Sequence, residues 1–269
     1  MNMETFVKYY GPKPKLRNPI MIEGLPGYGQ VGRLVAEHMV KELKGKKFAE
    51  LYSAHFPPQV MIKQDGLVDM ITNNFFAITG KGKRDIIMVV GEAQAATVTG
   101  QYEICNKILD VAQEFKVKEI VTIGGYATGR LMKEPKVYGA ATNKEVIKEF
   151  EKYGVSFQSA PGEIRGGIVG ISGLLVGLSN LRDINATCLM GETPGHPLLI
   201  DAKAAEAIIA VLAKHLKIDI HLGELDKHAK ELEKFRIGLE KMMRKVAQQE
   251  EQKEKELAAK EEEKVKYIG

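Results

Sequence analysis

Four apolar runs in this chain end in glycine clusters and alternate with helical patterns, and no other feature constrains the fold as tightly. Ile20 to Ile22 leads into "GLPGYG". Asp85 to Gln94, "DIIMVVGEAQ", leads to a helix from about Thr99 to Phe115. "EIVTIGGYATG", Glu119 to Gly129, follows, and "NATCLMGETPG", Asn185 to Gly195, leads to a helix from about Asp201 to Leu216. Continuous apolar runs of this length suit strands buried on both faces of a mainly parallel sheet. The alternation with helices predicts a three-layer α/β/α sandwich. Between Lys47 and Thr79 the pattern changes: alternating apolar residues around "QDG" and "TNN" predict antiparallel strands with tight turns in place of a crossover helix. The expected sheet is therefore mostly parallel with an antiparallel portion.

At 269 residues the chain can bury a substantial core, and one α/β domain with an appendage fits the length. The expected boundary separates a core domain, 1–221, from a helical, charged tail, 222–269. The net charge of +4 conceals an asymmetry, because residues 250 to 264 carry seven acids against four bases. The remaining Lys and Arg are interspersed with acids and have no aromatic-interleaved basic patch, so nucleic acid is not the expected partner. Cys105 and Cys188 each sit in an apolar segment, too far apart for a metal knuckle, and read as buried free thiols. The opening "MNMETFVKYYGPKPK" has no apolar h-region, which points to the cytoplasm. The longest uncharged run, Gly166 to Leu181, falls short of the ~18 apolar residues of a membrane span.

Two further segments shape the expectations. In "PGEIRGGIVGISGLLVGLSNL", Pro161 to Leu181, Gly166, Gly170, Gly173 and Gly177 recur three or four residues apart. On a helix they would form a smooth stripe open to another backbone, in the core or at a subunit contact. Beyond Ile220, Leu225, Leu232, Leu239 and Val246 recur every seven residues, with His228, Phe235 and Met242 between them. This seam predicts a helix that packs on a partner copy or on its own domain. Glu250 to Lys264 is charged almost throughout, with Glu251–Lys255 and Glu256–Lys260 in the favourable i,i+4 order, and reads as a solvated helix. Residues 222 to 264 would reach about 60 Å at 1.5 Å per residue, carrying the uncharged tip "YIG".

Gly27-x-Gly29-x-x-Gly32, between an apolar strand and an amphipathic helix, has the outline of a dinucleotide fingerprint. Two details oppose that reading. Glu50, at the distance expected of a ribose-binding acid, falls inside "KFAELYS" and not at a strand end, and Pro26 stiffens the turn. Gly24, Pro26, Gly27, Gly29 and Gly32 are therefore expected to serve close strand-to-helix packing. The alternative function is a nucleoside- or nucleotide-binding enzyme whose strand-end loops bring Glu92, Gln94, Arg130, Glu192 and His196 to one rim. Arg130 would hold phosphate, and Glu92 or Glu192 would act as acid or base. Neither a nucleophile-base-orienter set nor a metal-ligand cluster is visible, so no catalysis, cofactor or metal is expected. His38, His55, His215, His221 and His228 read as helical-surface or seam positions.

The combination "EGLPGYGQVG", "GEAQ", "GGYATG", "GEIRGGIVGISGLLVGLSN" and "GETPGHP", in that order over about residues 15 to 215, resembles the archaeal proteasome assembly chaperone family. The resemblance implies a nucleoside-phosphorylase-like α/β fold, a homo-oligomer, and binding to the proteasome core particle or its α subunits, without catalysis. It also implies a C-terminal hydrophobic-Tyr-any motif that enters pockets between α subunits, its carboxylate pairing with a lysine. Here the chain ends Val265-Lys266-Tyr267-Ile268-Gly269, with the tyrosine third from the end instead of second. That shift moves the ring about 3.3 Å along an extended strand. Val265 to Gly269 are the expected partner-binding residues, and Leu225, Leu232, Phe235, Leu239, Met242 and Val246 the expected seam.

Overall fold

The computed structural model describes residues 4–130, 132–157, 166–195, 200–223 and 225. All of them lie in the first of the two units into which the chain divides, Met1–Leu225 and Asp226–Gly269. In chain order the elements are β1 (Phe6–Tyr9), β2 (Ile20–Gly24), a 3-10 turn (Tyr28–Gln30), α1 (Val31–Glu42), β3 (Lys46–Tyr52), β4 (Val60–Ile62), β5 (Val68–Met70), β6 (Asn73–Ile78), β7 (Ile86–Gly91) and α2 (Val98–Glu114). There follow β8 (Glu119–Ala127), β9 (Val137–Ala141), α3 (Lys144–Glu151), α4 (Ile171–Asn180), β10 (Asn185–Thr193) and α5 (Ala202–Leu216).

Eight strands form one mixed sheet in the order β1-β3-β6-β7-β2-β8-β10-β9. Its centre, β7-β2-β8-β10, is parallel. β6, β3 and β1 extend it antiparallel on one side, and β9 on the other. The parallel strands come from the four glycine-terminated runs, and all five residues of β2 and all six of β7 are buried, as strands covered on both faces must be. Strand alternation assigns the two faces. Met21 and Leu25 join the core cluster with Ile104, Ile108, Ile171 and Leu175 of α2 and α4, whereas Gly24 meets Gly32 and Ala36 of α1. Helices thus cover both sides of the sheet.

α2, α3 and α5 begin where the sequence offers a side-chain acceptor for an otherwise unpaired amide. Thr97 accepts from Gly100 N, Asn143 from Val146 N and Asp201 from Ala204 N, at 3.1, 2.9 and 3.0 Å. The segment between Lys47 and Thr79 is strand and turn: β3 pairs with β6, and β4 with β5 in a separate hairpin.

The glycine-spaced segment departs from expectation. Its helix starts only at Ile171, so Gly166 and Gly170 lie outside it. Gly170 caps it at φ +90°, a left-handed conformation that suits glycine and ends any helix running in from Gly166. At Gly173 a Cβ would come 2.2 Å from the carbonyl oxygen of Ile168, so the backbone approach is made by the preceding loop; a Cβ at Gly177 would meet nothing. No continuous stripe forms.

Among the described residues, no helix is long and apolar enough to cross a membrane. Cys105 and Cys188 are free and buried.

Candidate functional site

The parallel centre of the sheet puts the carboxyl ends of β7, β2, β8 and β10 along one rim, and the glycine turn after β2 occupies its middle. A Cβ at Gly24 would lie 2.2 Å from the carbonyl oxygen of Gly32, and one at Gly32 would lie 2.5 Å from that of Ile123. β2, α1 and β8 therefore meet backbone to backbone. Gly29 at φ +62° and Gln30 at φ +53° turn the chain from the strand into α1. Gly27 differs from its neighbours: its backbone is extended, and a Cβ there would meet nothing.

The chain itself occupies the space on one side of the turn. Beside Gly29, where a pyrophosphate would need room, stand Thr193 Oγ1 and Asp201 Cβ, 2.6 and 3.2 Å from the position of an added Cβ. An amide of the turn is also engaged, Gln30 N donating to Gly27 O at 3.0 Å, and Asp201 N donates to Gly29 O at 2.8 Å. Gln94 Nε2 donates to Pro26 O at 2.7 Å while its Oε1 accepts from Ile171 N at 2.9 Å, so one side chain ties the turn to the start of α4. Glu192 is buried and accepts from Lys136 N at 3.1 Å, a structural bond at the entry to β9. Thr128 N donates to Thr193 O at 2.9 Å, joining the loops after β8 and β10. Glu92 is half-buried and Arg130 exposed on this rim; His196 lies outside the described residues. Tyr28 is 60% exposed on the turn.

Glu50 is inside β3, in the antiparallel flank, and not at the rim. Burial would raise its carboxyl, but hydrogen bonds from Lys47, Tyr10 and Tyr52 outweigh that and hold it at about 2. The acid's partners are local tyrosines and a lysine.

Three polar clusters escaped sequence reasoning because their members are far apart along the chain. Glu23 on β2 is fully buried; Ser172 Oγ donates to its Oε1 at 3.3 Å, and its Oε2 has no hydrogen-bond partner. Burial pushes its carboxyl up to about 7, against the pull of Ser172 and the backbone of Leu25 and Ile123. The same burial, together with the nearby Glu23 charge, raises the thiols of Cys105 and Cys188, the latter to about 12 against a hydrogen bond from Thr122, so neither is a reactive thiolate.

His55 and His215 are not surface helix positions. His55 Nδ1 lies 2.8 Å from Thr97 Oγ1 and its Nε2 3.4 Å from Glu103 Oε2, and Thr5 donates to the same carboxylate oxygen at 2.9 Å. This has the order hydroxyl, imidazole, carboxylate, but Thr97 Oγ1 is also the N-cap acceptor of α2, which fixes it in a structural bond. His215 on α5 is nearly buried against Phe150, with ring centroids 4.5 Å apart, and sits 2.7 Å from Glu119 Oε1. Burial would raise Glu119, but His215 and Arg84 hold its carboxyl low. His38 Nε2 pairs with His221 O at 2.7 Å at the exposed surface. The described residues contain no group of three His, Cys, Asp or Glu able to hold a metal.

Of the expected seam, Leu225 is buried; Leu232, Phe235, Leu239, Met242 and Val246 lie outside the described residues, as do His228 and the tip, Val265, Lys266, Tyr267, Ile268 and Gly269.

A mixed sheet with a parallel centre between two helical layers defines an α/β sandwich domain. The chain belongs to the PAC2 family, whose pattern it matches over residues 21–236. It is 41% identical over 94% of its length to an uncharacterized protein of Methanocaldococcus jannaschii, covering 93% of that protein. In structure it resembles Pyrococcus furiosus PbaB, an archaeal proteasome activator, with a TM-score of 0.81 and 38% identity over 88% of this chain and 99% of that one. It also resembles P. furiosus PbaA, an archaeal homologue of proteasome-assembly chaperone, with a TM-score of 0.69 and 27% identity over 86% of this chain and 93% of that one.

Proposed function

We propose that this protein is a non-enzymatic proteasome assembly chaperone or adaptor that works in the cytoplasm. A homo-oligomeric α/β core, residues 1–221, presents the helical arms of residues 222–269, whose tips dock on the α-subunit ring of the proteasome core particle. The glycine turn of Gly24, Gly29 and Gly32 serves the scaffold and not a ligand. The observation that carries this reading is the likeness to a proteasome activator over nearly the whole of that protein's chain. The packing of the glycine turn supports it, since beside Gly29, at the rim where α/β enzymes bind substrates, the space is taken by Thr193 and Asp201. Several arms on one oligomer would bind together far more firmly than one tip, provided their spacing matches the ring.

The test is a pull-down of purified proteasome core particle, or of its isolated α subunits, with the full chain and with a chain lacking Val265 to Gly269. The full chain is expected to retain the particle and the shortened one to lose it at unchanged oligomer mass. Retention by both chains would reject the tip as the docking element, and retention by neither would reject the proteasome as the partner.

A further inference from the structure

The β4–β5 hairpin is the one part of the described fold that carries its apolar side chains outward together. Its register pairs Val60 with Met70 and Ile62 with Val68, with Met61 opposite Asp69 between them. Alternation then puts Val60, Ile62, Val68 and Met70 on one face. These four are between 46% and 77% exposed. The other face carries Met61, Leu67 and the Lys63–Asp69 ion pair at 3.2 Å, and so mixes charge with apolar surface. A turn closed by Gly66 N donating to Lys63 O, with Gly66 at φ +81°, fixes this register and therefore which face is apolar.

At those exposures the four side chains present roughly 400 Å² of apolar surface, as much as the largest patch a monomer ordinarily leaves uncovered. The patch continues at its base into a groove of about 730 Å³, where Val60 and Met70 face Phe6, Tyr52 and Pro57. Phe6 is half exposed and belongs to β1, the edge strand of the main sheet. Each copy of the chain thus holds an apolar ridge and an apolar groove side by side.

We infer that the hairpin face is a homotypic contact: in the oligomer the hairpin of one copy lies in the groove beside β1 of a second copy, and the exchange is reciprocal. Three observations favour a second copy over a different protein. The ridge and groove adjoin on the same chain, so one two-fold operation covers both, which is the requirement of an isologous interface. The ridge carries no charge, and the Lys63–Asp69 pair behind it is satisfied within its own hairpin, so nothing in it asks for a charged partner. Strands of three residues in a two-stranded hairpin are marginal in water, so the hairpin needs cover whenever the chain is folded, which a copy at the chain's own concentration supplies. The ridge alone provides about half of the ~800 Å² per partner that a stable association covers. The inference rests on the homo-oligomer of the proposed function and is independent of the tail.

The test uses the full chain, with mass measured by sedimentation across a range of concentrations. The double variant Ile62→Asp/Val68→Asp, checked for folding by circular dichroism, is expected to raise the half-dissociation concentration of the hairpin-mediated contact more than ~100-fold, since each contact would bury unpaired carboxylates. Because that variant could fail to fold, a mixture of Ile62→Cys chains with Glu4→Cys chains, Glu4 lining the groove, provides a second reading: with Cys105 and Cys188 buried, a short thiol-to-thiol cross-linker is expected to join one chain of each kind in a covalent dimer. Unchanged mass in a folded double variant, or an oligomeric mixture of the two cysteine variants that yields no cross-linked dimer, would overturn the hairpin contact and leave the oligomer standing. A wild-type chain that is monomeric at every concentration would overturn both. Shielding of the introduced thiol that begins only when proteasome subunits are added would assign the face to that partner and overturn the homotypic contact.

Discussion

Replacing Glu23 by Gln should flatten the pH dependence of stability. Glu23 is fully buried between the sheet and the start of α4, with one carboxylate oxygen lacking any hydrogen-bond partner, and burial pushes its carboxyl from an ordinary 4.5 to about 7. The native state therefore holds a proton that the unfolded chain releases. Below about pH 4.5 both states are protonated and Glu23 costs nothing; as pH rises towards and through 7, the native state must either keep its proton against the solution or bury a charge. With 1.36 kcal/mol for each unit of difference, the wild type should lose about 2–3 kcal/mol between pH 5 and pH 8 that the Gln variant keeps. Any constant offset from the new amide cancels in that difference. Urea unfolding of both proteins at pH 5 and pH 8, followed by far-ultraviolet circular dichroism, measures it directly. Parallel pH dependence in the two proteins would refute the reasoning, since it would mean that Glu23 has the same proton affinity folded and unfolded.

Two further substitutions address the scaffold. Gly24→Ala forces a methyl to within 2.2 Å of the Gly32 carbonyl, an atom that cannot move without shifting α1, and should destabilise the protein by about 1–3 kcal/mol in the same assay. Gly27→Ala, in the same turn but with open space around it, serves as the control and should change little. Glu50→Gln should cost about 1–2 kcal/mol at neutral pH. Because the folded carboxyl sits at about 2, below the unfolded value, the contribution is present above pH 4.5 and fades as pH falls towards 2, so the gap between variant and wild type should close in acid.

The elements legible in the sequence were those whose signal is local. β7, β8 and β10 lie within the apolar runs, α2 and α5 start within a residue of the expected positions, and "QDG" lies in the turn of the β4–β5 hairpin. In each case burial on both faces, a cap or a left-handed turn is written into neighbouring residues. The glycine-spaced segment misled because spacing alone cannot tell a helical stripe from a loop that ends in a left-handed glycine; Gly170 belongs to the second kind. The histidines misled for a different reason. His55 meets Glu103 and Thr97, and His215 meets Glu119 and Phe150, across separations that no short window spans.

Apolar periodicity was enough to set the layer architecture, because it distinguishes segments that become strands buried on both sides from helices with one apolar stripe. It was enough, too, to show that the turn after β2 would be crowded with glycine. What fills that turn was left to the folded chain. Thr193 and Asp201, more than 160 positions further along, close the space beside Gly29, and Gln94 fastens Pro26 to α4. A glycine leaves room for whatever approaches it, ligand or backbone, and which of the two arrives depends on contacts made by strands that are neighbours in the sheet and strangers along the chain.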